Sequence, residues 1–155
     1  MLYIMNGRAK KLWLAVVFIA IFIFSGCKTS VEKINFGVDA CASCKMTIVD
    51  KHFATELVTS KGRAYKFDDV ICMLRFMQTE LSPETVVSPF VINHNDATGF
   101  IPAVNAVFVV GDQLHSPMNG NTAAFLTKEE AAVAIMDTQQ RPLTWEELAG
   151  KLLGQ

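Results

Sequence analysis

Histidine is scarce in this chain of 155 residues: there are three, His52, His94 and His115, and no two stand close together. Cysteine is scarce too, four in all, with one C-x-x-C and no second pair. A structural zinc site commonly draws on two such pairs, or on one pair plus an H-x-x-x-H, so the spacing speaks against zinc. Lysines and arginines form no cluster, which removes the electrostatic footprint of a nucleic-acid partner. Long apolar runs are absent except for one, residues 12–24. That run falls short of the roughly 20 residues a membrane-spanning helix needs.

What the run does fit is a signal h-region. Arg8, Lys10 and Lys11 precede it as a basic n-region. Phe24-Ser25-Gly26-Cys27 follows, small residues directly before a cysteine, similar to the bacterial lipobox in which that cysteine becomes the lipidated first residue. We therefore expect a signal peptide over 1–26, lipidation at Cys27, and a domain held at a bacterial membrane on its exported face, periplasmic or extracellular. The other reading is an uncleaved N-terminal anchor. Beyond residue 26 the chain has 11 basic residues, three fewer than the total of 14, against all 15 acidic ones, a formal charge of −4. The remaining 129 residues suffice for one compact domain or two small subdomains sharing a core.

Residues 28–38 are polar and without periodicity, and 27–38 read as a lipidated tether. Met46 to Val49 and Phe53 to Thr59 are rich in β-branched residues and read as strands. Ser60-Lys61-Gly62 supplies a turn, and Arg63 to Phe67 a short strand. A helix starts at Asp68 or Asp69, with Val70, Ile71, Leu74, Met77 and Leu81 at helical spacing. Val86 to Ile92 reads as a strand at an edge or with a bulge, because it contains Pro89. Val104 to Val110 reads as a buried strand, residues 113–122 as a polar loop, and Ala123 to Leu126 as a strand. Capping-box signatures at Thr127 to Glu130 and Thr144 to Glu147 open two further helices, the first running to about Thr138. The expected class is α+β: two tandem ββαβ-like halves, 39–99 and 100–155.

The chemistry concentrates in Cys41-Ala42-Ser43-Cys44-Lys45-Met46. With Cys27 acylated three thiols remain, an odd number that leaves one unpaired. A thioredoxin-type dithiol expects a helix after the pair, whereas Cys44 runs into a β-branched stretch. A plain Cys41–Cys44 disulfide in a structural lipoprotein stays open, as does a lipid-anchored thiol–disulfide oxidoreductase using that pair. The fourth use is a soft metal. In a strand beginning near Cys44, residues 44 and 46 point to one face, and thiolate with thioether selects Cu(I). Met118 and His115 are further donors in the loop His115-Ser116-Pro117-Met118-Asn119-Gly120. His52 lies on the face of Met46 if the strand runs straight. Cys72, between Ile71 and Met73, reads first as a small buried hydrophobe.

Taken together, these features resemble the NosL family, membrane-anchored lipoproteins that act as copper chaperones for nitrous oxide reductase. The resemblance is carried by the lipobox ending at Cys27 and by Cys41-x-x-Cys44-x-Met46. Phe67-Asp68-Asp69 with Cys72-Met73 and the Ser116 to Gly120 loop complete it. It implies a duplicated ββαβ fold and a non-enzymatic metallochaperone, with Cys44 and Met46 as Cu(I) ligands. Cys41, variable in the family, and Met118 are accessory. It also implies a membrane transporter complex and a copper-accepting reductase as partners. This chain has Lys45 where a glycine is common, which raises the question of how tight a turn that position must make.

Overall fold

The computed structural model describes residues 30–136 and 140–154. The signal segment, Cys27, and the expected end of a helix near Thr138 lie outside the described residues. Among the described residues, two antiparallel sheets and three α-helices confirm the α+β class. No helix among the described residues is long and apolar enough to cross a membrane.

The first sheet is built on β1 (Thr55–Thr59), whose five residues are all buried. Gly62, at φ +81°, makes the turn into β2 (Ala64–Phe67), a left-handed position that costs glycine nothing. Helix α1 (Val70–Thr79) crosses to β3 (Val87–Ile92), which pairs on the other side of β1, and β4 (Phe100–Pro102) completes the order β2-β1-β3-β4. Pro89 faces Leu57 of β1, but β4 pairs only from Phe90 onward. The residue without an amide hydrogen thus sits where the β3 edge is open, as its chemistry requires.

The expected single strand over Val104 to Val110 is broken. Ala103–Asn105 form a 3-10 turn between β4 and β5 (Val107–Val110), and the chain there leaves the first sheet for the second. β5 pairs with β6 (Thr122–Phe125). On its other side Phe108 bridges Leu143, each main chain donating to the other at 2.9 and 2.8 Å. Helix α2 (Lys128–Ala134) follows β6, so the second unit repeats β-β-α with one bridging residue in place of the last strand. Both capping signatures hold. Thr127 accepts from the Glu130 amide, and Thr144 and Glu147 form a complete box at the start of α3 (Trp145–Leu153).

One hydrophobic cluster joins the two units, from Leu57, Phe67 and Met73 to Phe108 and Leu148. Ile34 is buried in it, which corrects the reading of residues up to 38 as a tether. The Glu32 amide donates to Glu56 at 2.8 Å, and the Gly37 amide donates to the Ile48 carbonyl at 2.8 Å. The segment docks because Glu56, fully buried on β1, needs a donor, and an apolar Ile34 needs a core.

Candidate metal centre

Residues 41–46 form a closed loop in place of the expected start of a strand. Ala40 bridges Thr47, the Cys41 amide donates to the Met46 carbonyl at 2.8 Å, and the Lys45 amide donates to the Cys41 carbonyl at 3.0 Å. The reversal is made at Lys45, whose φ of +68° lies in the left-handed region. A side chain there is strained by about 1–2 kcal/mol, and glycine would relieve it. Met46 to Val49 form no ladder, because their partner segment, residues 36–39, is itself a run of turns. β-branched residues make a strand only when a neighbour completes the hydrogen bonds. The same-face argument for Cys44 and Met46 therefore fails as stated: the turn at Lys45 separates them, Cys44 is half-buried, and Met46 is 57% exposed.

The tertiary fold supplies other neighbours for Cys44. The sulfurs of Cys41, Cys44 and Cys72 and a carboxylate oxygen of Asp68 all lie within 4.8 Å of one another. Three segments meet there: the 41–46 loop, the end of β2, and the first turn of α1. All three cysteines are free thiols. The Cys44 thiol donates to Asp68 Oδ2 at 3.4 Å, while Asp68 Oδ1 is buried without a partner. A buried oxygen left unpaired is costly, and a cation among these donors would satisfy it.

Charge within the cluster is unequal. Cys41, fully buried, is pulled down to about 6 by the Cys72 thiol donating to it, against the cost of burial, with help from the Asp68 and Cys44 amides. Burial pushes Cys44 up to about 11, reinforced by Cys41 beside it. Cys72, having given its hydrogen to Cys41, is pushed up as well. The inner cysteine is thus the thiol that ionises most readily, and a soft cation arriving among the three displaces their protons to water.

Asp69 does separate work. Its backbone is extended, at φ −155° and ψ 147°, so the side chains of 68 and 69 point opposite ways. Asp69 Oδ1 caps α1 by accepting the Ile71 amide at 3.0 Å. Its Oδ2 accepts Ser116 Oγ at 2.6 Å and the amides of Met118 and Gly120 at 3.0 and 3.3 Å. The loop comes so close that a Cβ on Gly120 would meet Asp69 Oδ1 at 2.5 Å. Met118, half-buried, is fixed by its main chain to Asp69, the residue next to Asp68.

The histidines stand elsewhere. His52 Nδ1 lies 2.7 Å from the His94 carbonyl, and His94 Nδ1 lies 3.4 Å from the His52 carbonyl, a reciprocal clasp between two turns. A turn over residues 51–53 takes His52 off the path expected from Met46. His115 is exposed, with φ +43°. Of the expected site residues the fold gathers Cys41 and Cys44, ties the Met118 main chain to Asp69 and leaves Met46 exposed at the loop's end. Cys72 joins them rather than serving as packing alone, and Asp68 is added. Asp68 could have been suspected from the paired acids at a helix start, since one carboxylate suffices for a cap.

The family whose profile matches residues 36–152 is described as NosL. The crystal structure of the copper chaperone NosL from Shewanella denitrificans superposes with a TM-score of 0.66 at 21% sequence identity, covering 77% of this chain and 96% of that one. Among proteins with curated descriptions, none matches.

Proposed function

The chain belongs to the NosL family, and from that premise we propose that it is a membrane-tethered Cu(I) metallochaperone that passes copper toward assembly of a nitrous oxide reductase. Its copper is cargo, held for transfer rather than for catalysis. Cys44 is the central donor, reached from outside through the exposed Met46 and from inside through Cys41, with Met118 as an accessory donor. Lipidation of Cys27 would keep the donor beside a membrane transporter complex on the exported face and raise its effective concentration there.

The observation that carries this reading is the convergence within 4.8 Å of three free thiols and the Asp68 carboxylate, one of whose oxygens is buried without a partner. Soft sulfur donors select Cu(I). An outer thioether and an inner thiolate give the ion an exit and a resting place, so that an incoming acceptor ligand replaces one donor at a time. A thiol oxidoreductase fits less well. Its attacking thiolate should be accessible, yet the readily ionised Cys41 is fully buried and the more accessible Cys44 is pushed up to about 11.

Anaerobic Cu(I) titration of the reduced protein against a competing chelator tests the proposal. One equivalent should bind tightly, and Cys44→Ser should weaken it by about 100-fold or more, as loss of a principal ligand does. An unchanged affinity in Cys44→Ser would overturn it.

A further inference from the structure

We propose that the face formed by Phe36, Val38 and Val49 rests on the bilayer, so that the 41–46 loop lies at the membrane surface. The proposal rests on the membrane tether of the previous section. Val38 is 77% and Val49 66% exposed, and they stand side by side on adjoining segments rather than singly. They adjoin because the Ile48 carbonyl accepts from the Gly37 amide and the Ile48 amide donates to the Asp39 carbonyl, bracketing Val38. Phe36 and Val49 line one surface cleft with Lys51.

Chain length supplies the occupant. Glu32 is fastened to Glu56, and Cys27 is five residues before it. Even fully extended, that stretch spans at most about 18 Å. A lipid on Cys27 therefore keeps the membrane within that reach of Glu32, at the start of the segment that carries Phe36 and Val38. The charges agree. Lys33, Lys45 and Lys51 are exposed around the apolar residues, against one carboxylate in the same cleft, Asp50, which accepts the His52 amide, while Asp39 and Glu32 turn to Lys66 at 2.9 and 3.7 Å. An apolar tip within a basic rim is the pattern of a surface that dips into anionic lipid. Copper would then leave the exposed Met46 sideways, toward an acceptor embedded in the same membrane.

The test uses the full-length lipidated protein in vesicles of phosphatidylethanolamine and phosphatidylglycerol with brominated acyl chains. Tryptophan is placed singly by Val38→Trp, Val49→Trp and, as an equally exposed control on α2, Val133→Trp, each read against the unsubstituted protein. Roughly two-fold quenching is expected at 38 and 49 for side chains at acyl depth, with none at 133. If the protein is membrane-bound but positions 38 and 49 are quenched no more than 133, this face is not the contact and only the tether survives. If the protein does not associate with vesicles at all, the tether and this proposal both fall.

Discussion

Asp69 Oδ2 accepts the Ser116 hydroxyl at 2.6 Å across 47 residues of sequence. The same oxygen takes the Met118 and Gly120 amides, and the other oxygen caps α1. One carboxylate thus ties the second unit's loop to the helix that presents Cys72.

Asp69→Asn should therefore cost about 3 kcal/mol in urea unfolding of the metal-free protein, the scale of a buried charged acceptor losing its donors. Whichever way the amide is turned, its NH2 faces at least one amide that already donates. Ser116→Ala, which removes the hydroxyl's bond to Asp69 and its bond from the Asn121 amide but leaves the other three donors on Asp69 in place, should cost about 2 kcal/mol. Equal losses in the two variants would show that Asp69 does not organise the loop.

Lys45→Gly should raise stability by about 1 kcal/mol, since the left-handed φ strains any side chain and the entropy glycine brings to the unfolded chain returns part of the gain. Lys45→Val should lose about as much, being β-branched at the same φ. Thermal unfolding of the three proteins would rank them Gly, Lys, Val. A glycine variant less stable than the parent would mean that the Lys45 ammonium contact with the Ala42 carbonyl outweighs the strain.

Much of the fold was legible because it is written in local rules. The helix at 70, the caps at Thr127 and Thr144, and the turn at Gly62 depend on residues a few positions apart. The 41–46 loop did not follow from those rules: Met46 to Val49 have strand composition, and only the absence of a partner ladder turns them into a loop. The cluster was half legible. Cys41 and Cys44 announce themselves by spacing, whereas Cys72 reads as packing until α1 is laid against the loop. Asp68 reads as part of a helix start until the extended backbone at Asp69 sends the two carboxylates apart. The docking of residues 32–37 rests on Glu56 finding its donor 24 residues away, which no periodicity signals.

Stability of the metal-free protein should depend on pH through Cys41. Its folded value is lowered to about 6 from an unfolded value of 9.0, so the folded state sheds a proton first. Its contribution is full above pH 9 and lost as pH falls through 6. Between those values stability should rise with pH by up to about 1.4 kcal/mol per unit from this group. Cys44, raised to about 11, acts oppositely: its contribution is present below pH 9 and lost between 9 and 11. Unfolding free energies of the parent and Cys41→Ser from pH 5.5 to 10.5 should differ most in slope between 6 and 9. Parallel curves would place the ionised thiol elsewhere.

Cys72 decides whether the inner thiols govern the copper affinity. It donates to Cys41 and so sets which sulfur is ionised before metal arrives. Cys72→Ser keeps a hydroxyl that can donate, whereas Cys72→Ala removes both donor and sulfur. If Cys72 acts by orienting and acidifying Cys41, Ala should lower Cu(I) affinity by about 10–100-fold, the range for loss of an outer-shell partner, and Ser should restore most of it. If its sulfur is itself a ligand, Ser and Ala should be equally weak. Chelator competition on the three proteins at one pH separates the two cases. A third result, parent-like affinity in both variants, would confine copper to the outer donors Cys44 and Met46 and leave the inner thiols no part in holding it.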